Sequence, residues 1–443
     1  MRLNFRARVI MSSKRKELST KDEKSCDKRT KGPGRHHINC LPEELLGMVF
    51  DRLCLESVKT ASLVCRKWNE ILFSGTYANR FVFRVDGGNN FCPERIVEAI
   101  HVLARSIRGY RRVFFKGGNQ NDETEFQVDW NSSAKPILPS NSVKHLHVTS
   151  EFRIWVDMPN LETFDGHLTA LHQHDENVPL PALTKLKHVT LRHYEDYSKS
   201  PELLTKIKES HPTAIRRLSN VESIKWKTHV SSQMFVALCE TCTQVKDMLF
   251  HRSLSVDTMA DLENLSKLTQ LRSLKFKDAC IMVNDNSSYD FDFSKQTNLV
   301  ELDLYDTDMD TLKFPETLRS LAVYITAENE QTLIQSIVSA GSELTALKLR
   351  YRGSDFRSQE PTVTLKALPQ LENLETLVFI WPHFKSTTFL CMDAPLYSVR
   401  KLHFEDCHLE TEKFLGMNEK FPNLQEHKFL NMEWPPPFYS HSD

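Results

Sequence analysis

The sequence predicts an α/β chain: a small helical element, then a long array of short parallel strands, with strands on a concave face and helices and loops on a convex one. Three observations carry this. From residue 143 onward one apolar triplet keeps returning, its members separated by two residues and then by one. Between many of the triplets lie segments of helical patterning. Ahead of the array, residues 39–73 hold three short runs whose apolar residues recur at helical rather than strand spacing.

In the helical element, Leu41-Pro42 precedes Glu43 and Glu44. Proline suits the first helical position, where no amide donor is needed, and carboxylates complement the positive end of the helix dipole. Leu45, Val49 and Leu53 then follow at four-residue spacing with Leu46 and Phe50 beside them, a wide apolar stripe. Ser57 is placed to cap a second helix carrying Val58, Ala61 and Leu63, and Trp68, Ile71 and Leu72 continue on a third. Three helices in about 35 residues leave apolar surface that a domain of this size cannot bury alone.

The Leu41-Pro42 opening, Glu44-Leu45, Val49-Phe50, Leu53 and the closing Val64-Cys65-Arg66-Lys67-Trp68 resemble an F-box, at that family's spacing. The resemblance implies docking to a Skp-type adaptor and, through it, to a cullin. It maps the adaptor contacts onto Leu41, Pro42, Leu45, Leu46 and Trp68.

The triplets run Val143-Leu146-Val148, Leu186-Val189-Leu191, Val221-Ile224-Trp226, Val245-Met248-Phe250 and Leu271-Leu274-Phe276. They continue as Leu299-Leu302-Leu304, Leu318-Leu321-Val323, Leu344-Leu347-Leu349, Leu374-Leu377-Phe379 and Val399-Leu402-Phe404. Partial copies begin at Leu161 and Leu424, and most intervals lie between 24 and 28 residues. This period and pattern resemble those of leucine-rich repeats, in which each unit buries its apolar triplet against its neighbours. That family places Asn or Cys three residues after the third apolar position, and here only Cys407 stands there. An irregular curvature is expected. Helical returns are expected at Pro201–Ser210, Ser232–Cys242, Ser255–Leu268, Asn329–Ala340 and Glu412–Lys420, and a helix at Pro93–Ile107. Phe81–Phe83 and Arg112–Phe115 read as early strands, Asn284–Phe293 and Ser354–Pro361 as bulging loops, and Pro435-Pro436-Pro437 as the end of the array.

The expected domains are therefore a tail over 1–37, the F-box over 38–80 and the repeat array over 81–443. The chain's net charge of −1 hides a tail with 12 Lys/Arg against 4 Asp/Glu, which should be disordered. Within it, Lys14-Arg15-Lys16 and Lys28-Arg29-Thr30-Lys31 read either as two halves of a nuclear import signal or as a solvated tail. A cytoplasmic or nuclear protein is expected. No run of 18 apolar residues predicts a membrane span, and no apolar core of a signal peptide opens the chain. The ten cysteines are scattered, as in a reducing compartment. Cys239-x-x-Cys242 lacks partner ligands for zinc and falls on an apolar helical face, so a core position is expected.

On the array, residues between the buried positions face the concave side. They give a basic zone at Lys225, Lys227, Lys275 and Lys277, then Glu301, Asp303 and Tyr305, then Tyr324, Lys348 and Arg350, and an exposed apolar pair at Val378 and Ile380. Tyrosine and arginine are enriched at interface hot spots, so Lys275, Lys277, Asp303, Tyr305, Tyr324 and Arg350 are the expected substrate contacts. No Gly-rich phosphate loop, nucleophile elbow or metalloprotease histidine pair is found, and His172-Gln173-His174 lies in a polar loop. No cofactor, metal, small-molecule substrate or membrane partner is expected, and nucleic acid is disfavoured. The function expected is substrate recognition, without catalysis, in a Skp–cullin–F-box ubiquitin ligase. The alternatives are an adaptor-bound scaffold and a nuclear repeat protein that uses the basic tail.

Overall fold

The computed structural model describes residues 38–73, 81–86, 98–99, 101–103, 110–116, 137–139, 141–148, 155–171, 183–192, 214–252, 254–277, 281–283, 290–304, 307, 309–351, 360–411 and 413–431. The basic tail with both import-like clusters lies outside the described residues. So do 172–174, 201–210, 354–359, 435–437 and Tyr305. The chain divides into two compact units, 1–161 and 162–443.

In the first unit a 3-10 turn at Ile38–Cys40 leads into α1 (Glu43–Asp51), α2 (Leu55–Ser62) and α3 (Arg66–Phe73). Strands β1 (Val82–Asp86), β2 (Arg112–Lys116), β3 (Ile137–Pro139), β4 (His145–Val148) and β5 (Trp155–Asp157) follow. β2 pairs in parallel with both β1 and β4, and β3 pairs with β5. Leu46, Phe50, Val58, Ala61, Ile71, Leu72 and Phe81 form one core, with Leu41, Leu53, Trp68, Phe73 and Tyr110 packed against it. The helices are thus partly covered from within the unit. Phe73 lies 4.5 Å from Phe81 and 5.9 Å from Tyr110, ring centre to ring centre.

The second unit is built on a large parallel sheet. Its strands begin with β6 (Thr163–His167), β7 (His188–Arg192), β8 (Ser223–Lys227), β9 (Asp247–Phe250), β10 (Leu254–Val256), β11 (Ser273–Phe276), β12 (Ile281–Val283) and β13 (Asp290–Asp292). They continue with β14 (Glu301–Leu304), β15 (Thr311–Lys313), β16 (Ser320–Ile325), β17 (Ala346–Tyr351), β18 (Thr376–Ile380), β19 (His383–Phe384), β20 (Lys401–Glu405), β21 (His408–Leu409) and β22 (Glu426–Leu430). The sheet order is β6-β7-β8-β9-β11-β14-β16-β17-β18-β20-β22, so each strand lies beside the next copy of the triplet. The short strands pair among themselves, β10 with β12, β13 with β15 and β19 with β21.

The register matches the triplets rung by rung: Ile224, Met248, Leu274 and Leu302 align, and Leu321, Leu347, Leu377 and Leu402 continue the row. All eight are buried. At about 1.5–3 kcal/mol for each large apolar side chain fully withdrawn from water, this row is a main source of the sheet's stability. The partial copies at Leu161 and Leu424 become β6 and β22.

Two features hold successive rungs that the triplets alone did not indicate. An asparagine immediately before the first apolar position sends its amide to a carbonyl of the previous rung. Asn220 Nδ2 donates to Thr184 O at 3.4 Å, Asn298 to Thr269 O at 2.7 Å, Asn373 to Ser342 O at 2.8 Å and Asn423 to Tyr397 O at 2.8 Å. Within the first unit Asn160 does the same to Asn141 O at 2.7 Å. The asparagine anticipated after the strand is instead found before it. At the far end, Cys407 does occupy the anticipated place, with its Sγ 3.4 Å from both Phe379 O and Glu405 O. Trp381, Asp406 and Asn431 each follow a strand with positive φ (74°, 52° and 52°), at equivalent places in three successive rungs. Asp and Asn tolerate this region; a bulky aromatic there carries strain.

The returns are less helical than expected. Ser232–Thr241 and Glu330–Ala340 are α-helices. The span 255–268 opens as strand β10 and carries only a short helix, Met259–Leu262, with a 3-10 turn at Glu263–Lys267. Only Met417–Lys420 is helical near the end. Within 284–293, taken as a loop, Asp290–Asp292 is strand β13. Cys239 and Cys242 are fully buried. Burial pushes the Cys239 thiol well up and that of Cys242 to about 12.

Candidate protein-docking surfaces

The first surface begins at the Leu41-Pro42 corner. Pro42 is the residue just before α1, one place earlier than expected, and its carbonyl accepts the first helical bond from Leu46 N–H at 3.0 Å. Lys67 of α3 donates its Nζ to Asn39 O and Leu41 O, both at 3.1 Å, fastening this corner to the helices. Glu43 and Glu44 fill the first turn.

The wide stripe of α1 then splits. Leu46 and Phe50 turn inward and are completely buried, whereas Leu45, Met48 and Val49 turn outward, 45%, 64% and 40% exposed. Pro42 is exposed beside them in sequence. Leu63 and Val64, after α2, are also exposed, at 75% and 56%. The sequence had placed Leu45, Val49 and Leu53 together on the buried stripe; the structure keeps Leu53 half-buried and gives the core to the other diagonal. Phe50 decides this, because its ring meets the Trp68 indole edge-to-face at 5.1 Å and so locks α1 onto α3. Of the expected contacts, Pro42 and Leu45 lie on the exposed face, and Leu41 and Trp68 are half-buried. Leu46 is internal and supports that face from behind.

Met48, Leu63 and Val64, also exposed, were not among the expected contacts. Met48 is legible afterwards as the three-residue neighbour of Leu45 on a helix. The expected cap also moves: Cys54, not Ser57, precedes α2, and its Sγ lies 3.1 Å from Ser57 Oγ. This contact holds the exposed Cys54 thiol below its usual range.

Residues 38–84 match the F-box-like family. The match spans α1, α2, α3 and the start of β1, and F-box domains generally bind Skp-type adaptors. No curated protein matches the chain. Among the described residues no helix is long and apolar enough to cross a membrane.

The second surface is the face of the large sheet that carries the residues between the buried positions. The register sets Lys225, Leu249, Lys275, Asp303, Ala322, Lys348, Val378 and His403 in one row. Tyr324, Arg350, Ile380 and Glu405 lie in the next. Several charges here bond one another across an intervening strand. Arg350 grips Asp303 with two bonds of 2.8 and 3.2 Å, passing Ala322, and Lys348 reaches Glu405 at 2.7 Å, passing Val378. Lys275 pairs with Glu301 at 2.7 Å.

Of the expected substrate contacts, the structure brings Asp303 and Arg350 together as partners of each other. It buries Arg350 and Tyr324, the latter against Trp381 at 6.3 Å between ring centres. Val378 and Ile380, expected to be exposed, are buried. The Lys348–Glu405 bond passes Val378. Lys277 is exposed and Lys275 half-buried.

Proposed function

We propose that this chain is the substrate-recognition subunit of a Skp–cullin–F-box ubiquitin ligase. The F-box-like segment would dock the adaptor through Pro42, Leu45, Met48 and Val49, with Leu41 and Trp68 shaping the corner. The observation that carries this reading is the outward diagonal of α1. Large apolar side chains stand in water on a helix whose core is already filled, and contiguous exposed apolar surface marks interaction sites. The large sheet is read as an irregular leucine-rich-repeat solenoid; the triplet period, the asparagine ladder and Cys407 at its turn support that reading. Its open face would hold a protein substrate. The chain would supply no chemistry of its own. By holding the substrate near a ubiquitin-charged enzyme recruited by the cullin, it would raise the effective concentration of the reacting lysine. This role belongs to the cytoplasm or nucleus.

Affinity purification of the full chain from cells tests the reading. Adaptor and cullin are expected together, and Leu45→Asp with Val49→Asp should lose both while the protein stays folded. Adaptor recovered without cullin would make the chain a scaffold instead. Recovery of neither with wild type would refute the ligase role.

A further inference from the structure

The sheet face carries one basic area whose lysines no carboxylate holds. On the strand before it, Arg192 is gripped by Asp165 at 2.5 and 2.9 Å. At its far edge Lys275 of β11 is held by Glu301, and on the strands beyond, Arg350 and Lys348 are held by Asp303 and Glu405. Between these lie Lys225 and Lys227 on β8 and Lys277 just past β11, with no ion pair or hydrogen bond on their ammonium groups among the described residues. Lys225 and Lys277 are exposed and Lys227 half-buried.

The three share one face by strand alternation, since Ile224, Trp226, Leu274 and Phe276 are all buried on the other side. Two strand spacings separate β8 from β11, about 10 Å, and two residues along a strand add about 7 Å. The ammonium groups therefore outline a patch of about that size. Between the lysines lie half-buried Leu249 on β9, which the register sets opposite both Lys225 and Lys275, and half-buried His251 just past β9, in the row of Lys227 and Lys277. Asp247, on the opening row of β9, offsets one of the three charges and leaves two uncompensated. Like charges gathered on one sheet face, with a single strand between them, repel, so the patch favours any anion that settles among them.

From this we infer that the β8–β9–β11 face is the docking site for an acidic polypeptide segment, one whose anionic side chains flank an apolar residue seated on Leu249. The inference rests on the substrate-receptor reading and names the substrate's chemistry. Carboxylates and phosphates both supply such anions. A nucleic acid fits less well: the patch is three strands wide and is flanked by the Arg192–Asp165 pair on one side and by the Lys275–Glu301 and Arg350–Asp303 pairs on the other. With these flanking charges closed into ion pairs, no open basic track runs on from the patch to follow a backbone that carries a charge about every 3.4 Å along each strand. The free lysines also sit among no stacked aromatic rings that would hold bases.

The test uses the full chain and fluorescent peptides in which a central leucine is flanked by glutamates, by phosphoserines or by glutamines. Anisotropy is read at about 50 and about 200 mM salt. Binding of the glutamate or phosphoserine peptide is expected, weakened by salt, with the tighter of the two naming the anion. The glutamine peptide should bind at least about tenfold more weakly. Lys225→Ser with Lys227→Ser and Lys277→Ser should weaken the anionic peptides by about tenfold or more while adaptor capture is unchanged. Leu45→Asp with Val49→Asp should do the reverse, so the two readings fail separately. The inference is overturned if the triple variant binds as wild type does, if the glutamine peptide binds equally, if no anionic peptide binds, or if an oligothymidine binds more tightly than the peptides.

Discussion

The F-box-like helices and the large sheet handle the same kind of residue in opposite ways. In the sheet, every rung from Ile224 to Leu402 puts its central apolar side chain fully inside, and Arg350 and Lys348 are paired with carboxylates across an intervening strand. On α1, three of the five large apolar residues face water, although Leu46 and Phe50 show that this helix can bury side chains completely. The sheet's interior is closed by its own neighbours. The helical segment leaves large apolar side chains in water. Stability in one region and recognition in the other are therefore expected to respond to different substitutions.

The largest expected effect lies in the sheet interior. Leu302→Ala should cost about 2–5 kcal/mol, read as a fall in unfolding free energy, because a cavity opens between β11 and β16. Leu45→Ala, at the matching chemistry on α1, should change stability by about 0.5 kcal/mol or less yet weaken adaptor capture. Equal destabilisation by both would erase the contrast. Next comes Arg350→Ala, which leaves Asp303 without its two guanidinium bonds and should cost roughly 2 kcal/mol in the same unfolding measurement. Asn298→Ala removes one rung-to-rung amide bond and should cost about 1 kcal/mol.

Much of this was legible in the sequence because strand alternation is unforgiving. A triplet such as Leu271-Leu274-Phe276 has only one face it can bury, and the register follows from stacking one triplet on the next. The helix was harder to read. Leu45, Leu46, Val49 and Phe50 offer two diagonals of equal hydrophobicity, and only the Phe50–Trp68 contact selects the inner one. The face charges were harder still. Asp303 and Arg350 look like independent contacts along the chain but lie two strands apart, within bonding reach, once the sheet forms. Val378 and Ile380 showed exposure by alternation alone, yet both are buried, and the Lys348–Glu405 bond passes Val378. The asparagine ladder was visible as recurring Asn residues before the triplets, at Asn298 and Asn373 for instance, but its partners are carbonyls, which carry no sequence signature.

The smallest effect concerns pH. Burial, and then the neighbouring His408 at 5.0 Å between ring centres, hold the His383 pKa below its usual 6.5, against the opposing pull of Glu410 and Glu360. Its neutral form is thus favoured in the folded state. The associated stability is present above pH 6.5 and is lost as pH falls through the lowered folded value. Thermal midpoints measured from pH 7.5 to 5.5 should fall less in His383→Gln than in wild type, and parallel curves would show that His383 plays no part.

The measurement that bears most directly on the F-box-like segment is a calorimetric titration of purified Skp-type adaptor into the full chain. Saturable binding is expected to the wild-type chain, with a negative heat-capacity change from apolar burial, and none to the Leu45→Asp, Val49→Asp variant. Undiminished binding by that variant would contradict the assignment of the exposed α1 face as the docking surface, and no binding by wild type would contradict adaptor docking altogether.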